Sequence, residues 1–265
     1  MDALPTANKT ALARSLGIAR ASLYYVSRKT AKDWAFKIAI EEVLQDNPSY
    51  GHRRIADHLT INKKRVRRVM KLFGIKPYRR RGRKSKKKRS GFTAYPNLLQ
   101  GVIPSYQGHV WASDFTELNY RGIKLYVATV IDLFTREIVG VAVSARKGSP
   151  LTLQALWAAL LHRGPPAIFH SDNGREYDAR SFTTTLTSCG STISRSRPAS
   201  PWENGYQESF YDKFKVDLGD PGRFATMGEL VAEIYRTIYA YNHTRIHSAF
   251  RMPPAVFAHK AKIAA

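Results

Sequence analysis

Acidic residues are scarce in this chain. Against 43 Lys and Arg, its 265 residues include only 20 Asp and Glu, giving a formal net charge of +23 and a sequence pI near 10.3. A compact state with that imbalance repels itself, which implies a polyanionic partner, either nucleic acid or an acidic membrane surface. Cysteine is almost absent. The single Cys189 excludes an internal disulfide and a multi-cysteine zinc site, and it reads as a small buried side chain. Long apolar runs are also missing: no stretch approaches the roughly 18 residues that a membrane span requires. Met1-Asp2-Ala3-Leu4-Pro5 lacks the basic-then-apolar order of a signal peptide, so the chain reads as soluble and cytoplasmic, without a membrane partner. A hydrophobic fraction of 43% is enough for one catalytic domain of ordinary size and one or two small modules, not for two large domains. No internal repeat is evident.

The N-terminal part is helical in pattern. Leu12, Leu16, Ile18, Leu23 and Tyr24 around Gly17 outline either a helix-turn-helix or a plain helical hairpin over residues 1–30. A second helical module spans 31–76, with Trp34, Ile38, Ile40, Val43 and Leu44, a break at Asn47-Pro48-Ser49-Tyr50-Gly51, and renewed periodicity through Ile55, Leu59, Val66, Val69 and Leu72. Its last helix sets Lys63, Lys64, Arg65, Arg67, Arg68 and Lys71 around a narrow apolar stripe, a face suited to DNA because solvated faces usually mix signs. Residues 77–106 read as a basic linker. From Lys76 to Arg89 ten of fourteen residues are basic, and no Asp or Glu occurs between Asp57 and Asp114. Arg79, Arg80, Arg81, Arg83, Lys84, Lys86, Lys87, Lys88 and Arg89 are therefore expected to order only on phosphates, with unspecific, salt-dependent binding. A nuclear-import signal is the competing reading of such a run.

Composition changes over 107–265. Val110–Leu118, Ile123–Phe134 and Ile138–Ala145 are three strand-like runs joined by short turns. A helix opened by Pro150 follows, carrying Leu151, Leu153, Leu156, Trp157, Leu160 and Leu161 on its apolar side. Next come a short strand at Ala167–His170, a helix near Ser181–Thr187, a strand near Thr192–Ser194, a helix carrying Glu208, and a last helix from Met227 capped by Thr226 and Glu229. Meander, helix, strand, helix, strand, helix is the order of a ribonuclease-H-like α/β fold with a mixed five-stranded sheet. Trp111, Trp157 and Trp202 read as core or wall residues.

Three carboxylates carry the chemistry. Asp114 lies in the first strand, Asp172 follows the fourth in His170-Ser171-Asp172-Asn173-Gly174, and 35 residues lie between Asp172 and Glu208. Phosphodiester chemistry needs a deprotonated nucleophile and neutralisation of both attacking and leaving oxygens, and a pair of hard divalent cations held by carboxylates meets both needs. Asp132 competes with Asp114 as the strand carboxylate, and an Asp before Asn-Gly is often only a turn residue. Asn204, Glu208 and Lys215 are spaced along one helical face suited to metal and DNA together. Asp212 lies near that face, with its role open.

These residues resemble a DDE transposase of the retroviral-integrase type, specifically the OrfB-type transposases of bacterial insertion-sequence family three. Trp111-Ala112-Ser113-Asp114-Phe115-Thr116 resembles the first-Asp motif, Asp132-Leu133-Phe134-Thr135-Arg136 the second strand, and His170-Ser171-Asp172-Asn173-Gly174 the second-Asp motif. Glu208 completes a D-35-E signature, and Lys215 stands where the family has a basic residue contacting the transposon end. Tyr241-Asn242-His243-Thr244-Arg245-Ile246-His247-Ser248 with Pro253 and Phe257 is similar to the C-terminal motif. Tyr50-Gly51-His52-Arg53-Arg54-Ile55 and Lys64-Arg65-Val66-Arg67-Arg68-Val69-Met70 resemble its helix-turn-helix segment. Phe250-Arg251-Met252 departs from a usual Leu-Gly-aromatic run, Asp217 stands where a Glu is common, and the His/Cys zinc domain of retroviral integrases is absent. The resemblance implies metal-dependent 3′-end cleavage and strand transfer of a mobile element. Asp114, Asp172 and Glu208 would hold two Mg²⁺, with Mn²⁺ substituting, and Asn204 and Lys215 would contact DNA. It also implies a homo-oligomer on double-stranded transposon-end and target DNA, an upstream OrfA-type product as partner or fusion, and a bacterial, nucleoid-associated setting. A DNA-binding regulator without activity and a structure-specific nuclease are the alternatives.

Overall fold

The computed structural model describes residues 8–24, 29–78, 95–197 and 204–263. Its C-terminal part is built on a five-stranded sheet in the order β3-β2-β1-β4-β5. β1 (Val110–Tyr120), β2 (Ile123–Asp132) and β3 (Ile138–Ser144) form the antiparallel meander, while β4 (Ile168–Ser171) and β5 (Thr192–Arg195) run parallel to β1. The β1–β2 turn is tight because Arg121 and Gly122 both take positive φ, 47° and 89°, the twist that a two-residue hairpin needs. The crossover to β4 is α5 (Ser149–Arg163), followed by α6 (Arg175–Asp178) and α7 (Arg180–Ser188). α8 (Gly205–Leu218), α9 (Met227–His243) and α10 (Pro254–Ile263) complete the chain. This is the ribonuclease-H-like arrangement expected from the element order.

The period of two along the strands sorts the core into two layers. Val110, Ala112, Leu118 and Tyr120 of β1 pack against Phe210 and Phe214 of α8 and Leu230, Ile234 and Ile238 of α9. Trp111, Val130, Val139 and Phe169 face the other way, onto Leu151, Ala155 and Leu156 of α5 and Phe182 and Leu186 of α7. α5 approaches β3 so closely that only glycine fits at 140: a Cβ there would lie 2.8 Å from Ala159 Cβ and closer still to the Ala155 carbonyl oxygen. The Thr226 cap of α9 forms as read, its hydroxyl accepting from Glu229 N–H at 3.1 Å, while Glu229 reaches back to Ala225 N–H at 2.9 Å.

Ahead of the sheet, α2 (Lys29–Asp46), α3 (His52–His58) and α4 (Lys63–Leu72) enclose a core of their own around Phe36, Ile40, Tyr50, Ile55, Val66 and Val69. Each such fully buried side chain contributes about 1.5–3 kcal/mol. Asn62 caps α4, accepting from Lys64 N–H at 2.8 Å.

Several expectations are corrected. α1 (Lys9–Ser15) is followed not by a second α-helix but by a single 3-10 turn, Arg20–Tyr24. Leu12, Leu16, Ile18 and Tyr24 are exposed, so the segment has too little burial to fix a helix-turn-helix. Cys189, expected inside, is exposed at the end of α7, where the helix has already turned away from the sheet. Trp157 and Leu161 lie on the outer side of α5, 48% and 79% exposed, because that helix is apolar on more sides than one face can bury. α6 and α10 are additional to the expected elements: α6 is one turn long, and α10 has no marked apolar stripe. Trp202 and the basic residues Arg79, Arg80, Arg81, Arg83, Lys84, Lys86, Lys87, Lys88 and Arg89 lie outside the described residues.

Candidate active site

Parallel pairing of β1 with β4 aligns Ser113 with Ser171. Asp114 and Asp172 each stand one position beyond, on neighbouring strands. Alternation puts both on the sheet face that Val110 and Ala112 share with α8. Both are partly exposed. Asp114 Oδ1 accepts from Phe115 N–H at 2.8 Å and Asp172 Oδ1 from Gly174 N–H at 2.9 Å, which fixes the two carboxylates. Asp172 is thus a turn residue and a neighbour of Asp114 at once.

Asp132 is of another kind. It is fully buried, with Oδ2 accepting from Gly108 N–H at 2.6 Å and Trp111 Nε1–H at 3.2 Å. Its Oδ1 accepts from Phe134 N–H at 2.8 Å and Thr135 N–H at 2.9 Å. Four donors saturate it, so it fastens the end of β2 and has no lone pair to offer a ligand.

α8 is bolted to β1 by a polar strip that sequence reading did not single out. Gln207, fully buried, donates through Nε2 to the Ala112 carbonyl at 2.7 Å and accepts from Thr129 Oγ1 at 3.1 Å. Tyr211 donates to the carbonyl of Asp114 itself at 2.7 Å. Asn204, expected to face DNA, is instead buried, with Nδ2 3.5 Å from the Ser113 carbonyl and Oδ1 without a partner among the described residues. Asn204, Gln207 and Tyr211 follow i, i+3, i+7, and a polar stripe of that spacing reads in the sequence as a solvated face. On the opposite layer, Ser113 Oγ donates to the Thr129 carbonyl at 3.0 Å and meets the Tyr177 hydroxyl at 3.1 Å. Burial, reinforced by Asp114 and then Asp172, holds the Tyr177 phenol far above its ordinary value. Burial and Asp114 do the same to Tyr211. Both phenols therefore stay protonated donors beneath the carboxylates.

Glu208 lies in the first turn of α8, exposed. Partial burial, then repulsion from Asp212 one turn on, raises its carboxyl above the usual range. Asp212 thus acts on Glu208 electrostatically. Among the described residues no group of three His, Cys, Asp or Glu could hold a metal as placed: the fold brings Asp114 and Asp172 together and holds Glu208 on the adjoining helix.

The basic residues fall in two places. Lys63, Lys64, Arg65, Arg67, Arg68 and Lys71 are all exposed on α4. Arg68 is clamped to Asp33 by two bonds of 2.7 and 2.5 Å, and Arg65 lies 4.7 Å from the Phe36 ring centre. Lys215 lines a groove of about 570 Å³ between the helical module and the sheet, with Pro48, Tyr78, Glu117 and Asn119.

Comparison with known proteins agrees with this geometry. Two integrase core domain models match, over residues 104–201 and 189–254. The transposase for insertion sequence element IS904 of Lactococcus lactis is 33% identical over 192 residues, covering 71% of this chain and 76% of that one. The 31 kDa protein of insertion element IS600 of Shigella sonnei is 30% identical over 247 residues, covering 88% and 90%. Transposase InsF of IS3A from Escherichia coli is 27% identical over 261 residues, covering 90% and 89%. In fold, the chain is similar to one in a simian T-cell lymphotropic virus intasome bound to a PP2A regulatory subunit, at 16% identity and a TM-score of 0.51, covering 79% of this chain and 71% of that one. With that sheet, that placement of Asp114 and Asp172, and relatives of this length, the chain belongs to the insertion-sequence family-three transposases, which carry an integrase core.

Proposed function

We propose that the chain catalyses divalent-metal-dependent cleavage at the 3′ ends of its insertion sequence and transfer of the freed 3′-OH to target DNA, with Asp114, Asp172 and Glu208 as ligands. The observation that carries this reading is the alignment of Asp114 with Asp172 by the β1–β4 pairing, beside the helix that presents Glu208. The donor set fits hard cations: three carboxylates from separate elements, two of them on neighbouring strands and partly open to solvent. Mg²⁺ held there would supply Lewis acidity to the scissile phosphate and lower the pKa of the attacking hydroxyl.

The chain's own residues do the rest. Gln207 and Tyr211 fix α8 against β1, so Glu208 approaches the aspartates along one path. Ser113 and Tyr177 brace the strand from behind. Exposed Lys and Arg of α4, the basic residues 79–89 and Lys215 bind the phosphates of end and target duplexes, and salt weakens that grip. The active form is a homo-oligomer on DNA, with an upstream DNA-binding product joined or associated.

The test is a gel assay with a labelled duplex of the element's end, in Mg²⁺ and in EDTA. Metal-dependent nicking by the wild type, reduced at least 1,000-fold in Asp172→Asn with duplex binding retained, is expected. Normal cutting by the variant would overturn the ligand assignment. A duplex shifted but uncut in every lane, even with the upstream product added, would favour a regulator.

A further inference from the structure

Three segments singled out in the sequence but given no part in the reaction meet in one place. Arg54 of α3, Arg136 of the β2–β3 turn, and Arg245 and His247 beyond α9 line a cavity of about 50 Å³, together with Lys213 and Tyr206 of α8. Its charge is lopsided. Arg245 has a matched acid, donating to Asp217 Oδ2 at 2.7 Å. Exposed Arg68 and Arg163 likewise meet the carboxylates of Asp33 and Glu137 at 2.5 Å, and buried Arg195, although its Nε lacks a hydrogen bond among the described residues, still has Asp178 at 3.7 Å. Arg54 and Arg136 form no ion pair with a carboxylate among the described residues. Arg54 Nε and Arg136 Nη1 are buried with no hydrogen-bond partner among the described residues, and the Arg136 guanidinium is held 3.8 Å from the Tyr206 ring centre. Burying an unmade charged N–H is destabilising, and gathering like charges adds to that. His247 registers the field: burial, then Arg136, Arg54 and Arg245, lower its imidazole to about 4.

We propose that Arg54, Arg136 and Lys213 form a binding site for one phosphodiester group of the DNA backbone. A tetrahedral oxyanion supplies the acceptors that the buried guanidinium nitrogens lack, and planar guanidiniums match it well. The cavity holds a few water volumes, room for a phosphate group but not for a base. Tyr206, Ser209 and Lys213 follow i, i+3, i+7 along α8, turned roughly 100–160° around the helix from Glu208, with Lys213 about 8 Å further along the axis. The phosphate bound here therefore belongs to duplex held on the flank of α8 turned away from Glu208, not to the strand being cut. Because Arg54 comes from the helical module and Arg136 and Lys213 from the core, the bound phosphate ties the two together.

The site deepens the strand-transfer reading and rests on it, so binding is measured apart from cutting. Full-length wild type, Arg136→Gln, Arg54→Gln and, as a charge control on the exposed face of α10, Lys260→Gln are titrated with a labelled duplex in EDTA across a salt series. Arg136→Gln and Arg54→Gln should each weaken binding about 10-fold and lower the slope of log K against log salt by about 1, while Lys260→Gln changes neither. In a second arm, inorganic phosphate at fixed ionic strength should raise the wild-type Tm and not that of Arg136→Gln, since only a site present in the folded chain shifts Tm. In phosphate-free buffer Arg136→Gln should melt no lower than wild type, because it removes a repelling charge.

Unchanged slopes in both arginine variants overturn the proposal. So does an equal loss in Lys260→Gln. A Tm rise with phosphate but no change in duplex binding also overturns it, by showing a free-anion site. A lower Tm for both arginine variants with unaltered DNA binding would mean a purely structural cluster. A protein that fails to cut in Mg²⁺ yet depends on Arg136 for binding refutes the catalytic reading and leaves this site standing.

Discussion

Asp114 and Asp132 are separated on one hairpin only by their neighbours. In the β1–β2 register Asp114 stands opposite Thr129, and Asp132 opposite Trp111. The first is partly open to solvent, while the second accepts from four N–H groups. Asp132→Ala leaves those donors buried and unmet, at about 1–3 kcal/mol each. A stability loss above about 3 kcal/mol is expected in urea unfolding. Asp114→Ala should cost little stability and abolish nicking. Equal effects of the two on stability would sink the distinction. His247 gives a pH signature at the same scale. Its imidazole lies at about 4 when folded, against 6.5 when free, so the unfolded chain takes up the proton first. Its contribution is complete above pH 6.5 and disappears as pH falls toward 4, about 3 kcal/mol in all. Unfolding free energies between pH 7 and 4 should fall less steeply in His247→Gln. Parallel curves would show that the imidazole is not held neutral.

At the scale of elements, strands and long helices were legible because alternation and capping are local. β1 begins at Val110 and α9 at Met227, as their patterns require. Phe210 and Phe214 were legible as the core side of α8, but that the strip of Asn204, Gln207 and Tyr211 also meets the sheet was not, because these side chains are polar. Nor was Gly140, whose need is set by α5 crossing over it. Gly140→Ala should lower stability by about 1–3 kcal/mol or more, seen as a drop of several degrees in Tm. An unchanged Tm would mean that α5 can move away freely.

Across the whole molecule, the helical module is latched to the catalytic core through buried polar contacts. Arg245, 4% exposed, joins Asp217 of α8 at 2.7 Å and Ser49 at 2.8 Å, while Tyr50 accepts from Ile246 N–H at 2.7 Å. Arg251 adds an ion pair with Asp57. Asp217 and Phe250-Arg251-Met252, the departures from the family pattern, both lie at this junction and away from the three carboxylates. Removing one partner of a buried ion pair is destabilising by about 3–5 kcal/mol. Arg245→Ala should therefore loosen the module, exposing the 49–50 turn to limited proteolysis before the core unfolds. Cleavage rates equal to wild type would show that the latch carries no weight.

Composition, period and spacing by themselves determined the charge class of the partner, the order of strands and helices, and the three carboxylates on them, since each depends on residues near one another in sequence. The tertiary structure alone decided that Asp132 is structural and that Asn204 turns inward. It alone gathered Arg54, Arg136, Lys213 and Arg245, distant in the chain, around one cavity. Those outcomes depend on which hydrogen-bonding groups and charges remain unmatched once the elements pack, and no local pattern encodes that.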